Sequence, residues 1–299
     1  MRKVTLQVIA LLLLVSSGLA QKGGGGKPPK PPADPAITYR SFQGNKHGLA
    51  VMNSDGSNQT VIYTDAGIDD PSWAPDGSAI AFENRVGLSQ SGLWRIDVAV
   101  VNGVPQGSNA HLLAARDVDC GACGDPAWSP LGQEIAVAGR LGEGEPSDLF
   151  VIDANTGAPQ SLFKPAAGRV VNFPAWRADG SQIAFVERDW LGANFEIKVV
   201  NRAAPGTPIN TVSLGQFATL THLDWARNQD TLAFVGDGAI YTLDLPAGLP
   251  SFVINGGSPT WSPDDTKLAF DAGGVKTISL VTGAITTLAS KGERPDWRR

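Results

Sequence analysis

Histidine and cysteine are almost missing from this chain: three and two respectively in 299 residues. His47, His111 and His222 fall in different parts of the sequence, and there is no His-Glu-x-x-His helix motif for zinc. No Gly-x-Ser-x-Gly elbow exists either; the nearest string, Gly87-Leu88-Ser89-Gln90-Ser91-Gly92, has the wrong spacing for a hydrolase nucleophile. The two cysteines form one Cys120-x-x-Cys123 pair with no second pair to complete a zinc site. Thiol redox chemistry needs such a pair at the head of a helix, whereas this one lies between two strand-like segments, so a disulfide clip is the favoured reading. Basic residues are in deficit. The chain carries −5 overall, and all five charges before residue 34 are positive, leaving 19 basic against 29 acidic side chains, a net −10, in the rest. An acidic body without a basic, aromatic-laced stripe argues against nucleic acid and anionic membranes as partners. Catalytic residues, cofactors and metal ligands are therefore all expected to be none.

Long apolar runs are also scarce. One occurs, Val8 to Val15, behind Arg2 and Lys3 and ahead of Gly18-Leu19-Ala20. It is too short for a membrane span and has the small residues of a cleavage site, so residues 1–20 read as a secretory signal peptide. With no cysteine near the cleavage point, a lipid anchor is not expected. Residues 21–35, with Gly23 to Gly26 and then Lys27-Pro28-Pro29-Lys30-Pro31-Pro32, read as a linker that is flexible and then stiff. The mature protein is expected to be periplasmic or secreted, without a transmembrane segment, and monomeric.

What the chain does have is repetition. Pro71-Ser72-Trp73-Ala74-Pro75-Asp76-Gly77-Ser78-Ala79-Ile80-Ala81-Phe82 returns as Pro259-Thr260-Trp261-Ser262-Pro263-Asp264-Asp265-Thr266-Lys267-Leu268-Ala269-Phe270. Related copies centre on Trp128, Trp176, Trp225 and Trp297, at intervals of 55, 48, 49, 36 and 36 residues. Each unit reads as a short apolar strand, a Pro-Asp-Gly turn and a returning Ile/Leu-Ala-Phe strand, then two further strands such as Asp148–Asp153 and Gln160–Phe163. A period of roughly 40–50 residues with four strands per unit predicts an all-β, six-bladed propeller of four-stranded antiparallel blades over residues 36–299. Trp73, Trp128, Trp176, Trp225, Trp261 and Trp297 are assigned to core packing between blades. The residue before each tryptophan is small except Asp224 and Asp296, and the copy at Trp225 replaces the turn with Arg227-Asn228-Gln229-Asp230. Arg294–Trp297 is a first strand without a second, and Ile37–Tyr39 a second without a first. Pairing the two closes the ring and removes its open edges.

The Trp-Ala/Ser-Pro-Asp-Gly/Asp phrase with Ile/Leu-Ala-Phe, and Val51-Met52-Asn53-Ser54-Asp55-Gly56, resemble the TolB-type propeller repeat, over nearly all of residues 36–299. That resemblance implies a six-bladed fold, export across the inner membrane and binding of a protein or peptide of the cell envelope at the propeller mouth. Of the α/β domain that precedes the TolB propeller, this sequence shows no counterpart.

The expected working face combines two sets of loops. Those entering each first strand supply Asp69, Asp70, Asp125, Phe173, His222 and Arg294. Those between second and third strands supply His47, Arg85, Arg140, Glu143, Glu145, Glu187, Arg188, Asp189 and Trp190. Asp70, Asp125, Phe173, His222, Arg294, Arg188, Asp189 and Trp190 are the candidate partner-binding residues. A channel-centred lyase, cyclase or hydrolase, or a cation or glycan binder using Asp70 and Asp125, is the alternative.

Overall fold

Each repeat folds where its turn chemistry says it should. In the second blade the strand Ile68–Trp73 ends at a turn in which Gly77 N–H donates to Ala74 O (2.9 Å), and Asp76 Oδ1 accepts from both Ser78 N–H (2.9 Å) and its hydroxyl (2.7 Å). Gly77 has φ of 74°, a conformation that favours glycine. The chain then returns as the wholly buried strand Ala79–Asn84, with Trp73 opposite Ile80. The computed structural model describes residues 34–43, 46–85, 91–115, 124–140 and 147–299. The expected signal peptide, most of the linker, Cys120, Cys123, Glu143 and Glu145 lie outside the described residues.

Six four-stranded antiparallel sheets result, and no helix occurs among the described residues. Five blades are consecutive in sequence. The remaining one, blade 1, takes Glu293–Trp297 as its innermost strand, followed by Ile37–Gln43, Lys46–Met52 and Thr60–Thr64. Trp297 lies opposite Ile37 and Asp296 opposite Thr38, the pairing expected of the two ends, and Arg298 N–H adds a bond to Ala36 O (2.8 Å). Blades 2 and 4 depart from short outer strands of the kind seen at Pro159–Phe163. Their outer strands are long ribbons, Gly92–Val101 with Val104–Ala115 and Glu196–Asn201 with Ala204–Ser213. The first turns at Asn102-Gly103, both left-handed, which suits the twist of a two-residue hairpin.

All six repeat tryptophans are buried, each against the preceding blade; Trp128 sits on Ala74, Ala79 and Ala81. The small residues are what let a flat indole lie on the neighbouring sheet. The residue before each tryptophan does a second job that the sequence pattern concealed. Ser72 Oγ accepts Trp128 N–H (3.0 Å), Asp224 Oδ2 accepts Trp261 N–H (2.7 Å), Thr260 Oγ1 accepts Trp297 N–H (3.2 Å), and Asp296 Oδ2 accepts Trp73 N–H (2.7 Å). Four of the six junctions are thus tied by a side chain that supplies a partner for a buried backbone donor. The two aspartates that break the small-residue pattern are therefore acceptors of the same kind as Ser72 and Thr260. Ala127 and Ala175 leave gaps in this relay.

Two other departures from the repeat explain each other. Asp265 occupies the turn position where Gly77 stands in blade 2, at φ of 55°. Its carboxylate accepts Arg227 N–H (2.8 Å) and Asn228 N–H (2.6 Å) from the preceding blade. Those are the backbone donors of the turn that lacks Pro-Asp-Gly.

Candidate functional site

Three residues before each tryptophan, the innermost strand breaks register against its partner. The residues there, Asp70, Asp125, Phe173, His222, Ser258 and Arg294, all have left-handed backbones, with φ between 42° and 55°. A non-glycine residue in that region is strained by roughly 1–2 kcal/mol, and the chain repeats the strain six times around one axis. Proline follows in five blades and Leu223 in the sixth. Proline offers no N–H, so the bulge is confined to the free inner edge of each sheet. A bulge re-aims a side chain, and here it turns one from each blade into the channel. These residues lie inside strands, not in the loops where the sequence reading placed them. Neither charge nor aromaticity marks Ser258 in the sequence, so it is absent from the expected residues. Its position, three before Trp261, was the available signal.

Asp70, Arg294 and His222 meet across the channel. Arg294 Nη1 donates to Asp70 Oδ1 (2.6 Å) and to His222 Nε2, and the His222 ring lies 4.8 Å from that of Phe173. Burial first, then the Arg294 charge, lowers the His222 pKa to about 3, consistent with a neutral ring that accepts. Burial, followed by the charge of Asp125, holds Asp70 well above the ordinary carboxylate range. Burial and the nearby Glu83 raise Asp125 to about 6, while its Oδ2 accepts Phe173 N–H (3.2 Å). Asp70 Oδ2 is buried and unpartnered, which makes it the natural seat of a proton. Asp69, one residue away, behaves oppositely. Burial would raise it, but Arg294, Arg40 and Arg85 together hold its pKa below the usual value.

Arg299 also lines the channel, together with Ala127 and Ala175. Its Nη1 donates to Trp176 O (2.8 Å) and its Nη2 to Asp224 Oδ1 (2.9 Å). Burial and then the Arg227 charge lower its pKa to about 10. Within the channel about 90 Å³ remains, room for a few waters and well below a typical small-molecule site. Among the described residues, no three His, Cys, Asp or Glu side chains are arranged to hold a metal ion.

Beside the mouth the space widens. A cleft of about 500 Å³ is lined by Glu83 and Arg85 from blade 2, Asp125 and Arg140 from blade 3, and Asn172, Arg188 and Trp190 from blade 4, among others. Arg188 and Trp190 therefore line one cleft with Asp125, although Arg188, Glu187 and Asp189 lie in the strand Gln182–Asp189 and not in the loop where the sequence reading placed them. Trp190 is 63% exposed and is not a core residue. Asp189 has a local task instead: it accepts from Arg169 Nη1 (2.8 Å) and from Asn194 Nδ2 (2.5 Å), fixing the turn that carries Trp190. Glu187 is buried against Arg169 and Lys198, and His47 packs edge-on against Phe42; neither lines the channel or this cleft.

No protein-family model matches the chain. Among curated proteins it is similar to the Tol-Pal system protein TolB of Francisella tularensis subsp. mediasiatica, 26% identical over 117 residues, which is 38% of this chain and 24% of that protein. The TolB of Rhizorhabdus wittichii is 30% identical over 89 residues, 29% of this chain and 18% of the relative. The matches therefore span a quarter or less of these relatives. Among solved structures, TolB from Acinetobacter baumannii superposes with a TM-score of 0.63 at 14% identity, over 88% of this chain and 66% of that one. The putative TolB from Agrobacterium tumefaciens gives 0.63 at 14% identity, over 87% and 91%.

Proposed function

We propose that this chain, which carries a TolB-type six-bladed propeller, is an exported, non-enzymatic scaffold that binds a protein or peptide of the cell envelope at the channel mouth. The observation that carries this reading is the continuity of the six-residue mouth ring with the cleft under the exposed Trp190. Strain held identically in six blades means that the mouth is set before a partner arrives, which reduces the ordering cost of association. An exposed tryptophan beside arginines has the composition of a binding anchor. The narrow, side-chain-bridged channel supports binding across the mouth over passage or turnover inside it.

Affinity capture from envelope extracts tests this. Replacing Trp190 and Arg188 together by alanine should abolish capture of a partner that the parent protein retains. Asp55→Ala, in a turn at the opposite end of blade 1, should not. Retention by the mouth variant, with loss in the Asp55 variant, would place the binding face on the other side.

The buried Asp70–Asp125 pair favours a second reading, in which the channel itself holds a cation. Elemental analysis of the purified protein before and after dialysis against chelator decides that point; no metal in stoichiometric amount ends it.

A further inference from the structure

The cleft beside the mouth gathers three arginines on a body that is otherwise acidic. Arg85 is committed: its Nε and Nη2 donate to the two oxygens of Glu83 (2.9 and 2.8 Å), and its Nη1 lies 3.2 Å from Asp69. Arg140 and Arg188 are different. Among the described residues neither pairs with a carboxylate, and Arg188 uses only one N–H, on the backbone oxygen of Asp189 (3.1 Å). Arg140 follows the strand Glu134–Gly139, and Arg188 is the penultimate residue of Gln182–Asp189. These are equivalent strands of neighbouring blades, so the fold points two unpaired guanidinium groups toward one 500 Å³ space.

Two further features define the ligand. Asn172 lines the cleft with a buried Oδ1 that accepts no hydrogen bond. Trp190 stands at the rim with Leu191, 92% exposed, beside it. The turn that carries them is rigid: Trp190 N–H donates to Gly168 O (2.8 Å), Gly192 N–H to Asp189 O (2.9 Å), and Arg169 holds Asp189 and Asn194 O. Guanidinium forks match carboxylates, an unpartnered amide oxygen suits a backbone N–H, and a fixed Trp-Leu tip suits an apolar side chain. An anionic glycan would use the arginines but has no group for Leu191. With −10 on residues 34–299, an acidic segment is repelled elsewhere on the surface and attracted where positive charge is concentrated.

We propose that the cleft formed by Arg140, Arg188, Asn172 and Trp190 binds an acidic peptide segment carrying a large apolar side chain. This rests on the reading of the mouth as a protein-binding face, and it adds the chemistry of the partner.

The probes are three fluorescein-labelled octapeptides that share one central leucine: one with four Asp or Glu, one with the matching Asn and Gln, one with four Lys. Anisotropy titrations against the purified chain, at low and at physiological salt, should show the acidic peptide binding at least about tenfold tighter than its amide twin, with affinity falling as salt rises. Arg140→Ala with Arg188→Ala should remove that preference, and Trp190→Ala should weaken the acidic peptide without restoring the amide one. Arg140→Lys with Arg188→Lys, which keeps both charges, should retain a preference for the acidic peptide that the double alanine variant loses, a rescue that misfolding could not give. Equal binding of the acidic and amide peptides, an undiminished preference in the double alanine variant, or competition by a uronic-acid oligosaccharide but not by the unlabelled acidic peptide, overturns the proposal. If the mouth variants still lose their captured envelope partner while the peptides show no charge preference, the acidic chemistry falls and the protein-binding mouth stands. If capture ignores every mouth substitution as well, both fall.

Discussion

Asp265→Gly would restore the repeat's own glycine, and it should nonetheless destabilise the protein. Glycine would relieve the left-handed strain at φ of 55°, worth about 1 kcal/mol. The same change removes both acceptors for Arg227 N–H and Asn228 N–H, at 2.8 and 2.6 Å. Hydrogen bonds to a charged group contribute roughly 1.5–3 kcal/mol each. The turn at Asn228 is exposed, so water recovers part of that loss, and glycine adds its own unfolded-state entropy. The balance is a loss of about 1–3 kcal/mol. Urea unfolding followed by tryptophan fluorescence reads it directly. Asp265→Asn, which keeps one side-chain oxygen and tolerates the left-handed backbone, should fall between the two. A glycine variant with an equal or higher midpoint would refute the coupling of the two irregular turns and leave Asp265 as an unremarkable substitution.

Trp297→Ala should lower the unfolding midpoint by the equivalent of about 3–5 kcal/mol, because Trp297 is buried against blade 6 and closes the ring opposite Ile37; an unchanged midpoint would contradict the clasp. Asp296 gives a pH signature. Burial, followed by the charge of Asp224, raises its pKa to about 7 from 3.8. The folded state then holds a proton that the unfolded state releases, so this contribution is full below pH 3.8 and lost as pH rises through about 7. Asp296→Asn keeps an acceptor for Trp73 N–H and should flatten that decline; identical stability profiles for the two proteins between pH 4 and 7 would rule the titration out.

The architecture was legible because it is written in local chemistry. Pro-Asp-Gly sets a turn on its own, and a tryptophan beside small residues announces face-to-face packing. Even the pairing of Arg294–Trp297 with Ile37–Tyr39 followed from counting strands. The channel ring was half legible. Position three before the tryptophan was present in all six copies, but a left-handed backbone at Asp70 or His222 leaves no mark in a sequence, since both side chains also suit an ordinary loop. Asp224 and Asp296 looked like defects for the same reason: the donors they satisfy belong to the next blade, and contacts between blades have no fixed sequence spacing. Arg299 was illegible altogether. Its partners, Trp176 O and Asp224, belong to two other blades, and no spacing along the chain announces that meeting.

Closing the ring inside a blade also determines how it responds to force. Residues Asp34 and Arg298 meet at 3.0 Å, so chain tension enters and leaves at one corner of the ladder between Ile37–Gln43 and Glu293–Trp297. Because those strands are antiparallel, pulling the two residues apart loads one rung at a time, beginning at Trp297–Ile37, and never stretches the ladder in shear. The junctions that Ser72 and Asp224 tie stay unloaded until that first blade has peeled, whereas those of Thr260 and Asp296, made by the peeling strand itself, are loaded from the start. A propeller suspended between a tether on its leading side and a burden on its trailing side opens like a zip.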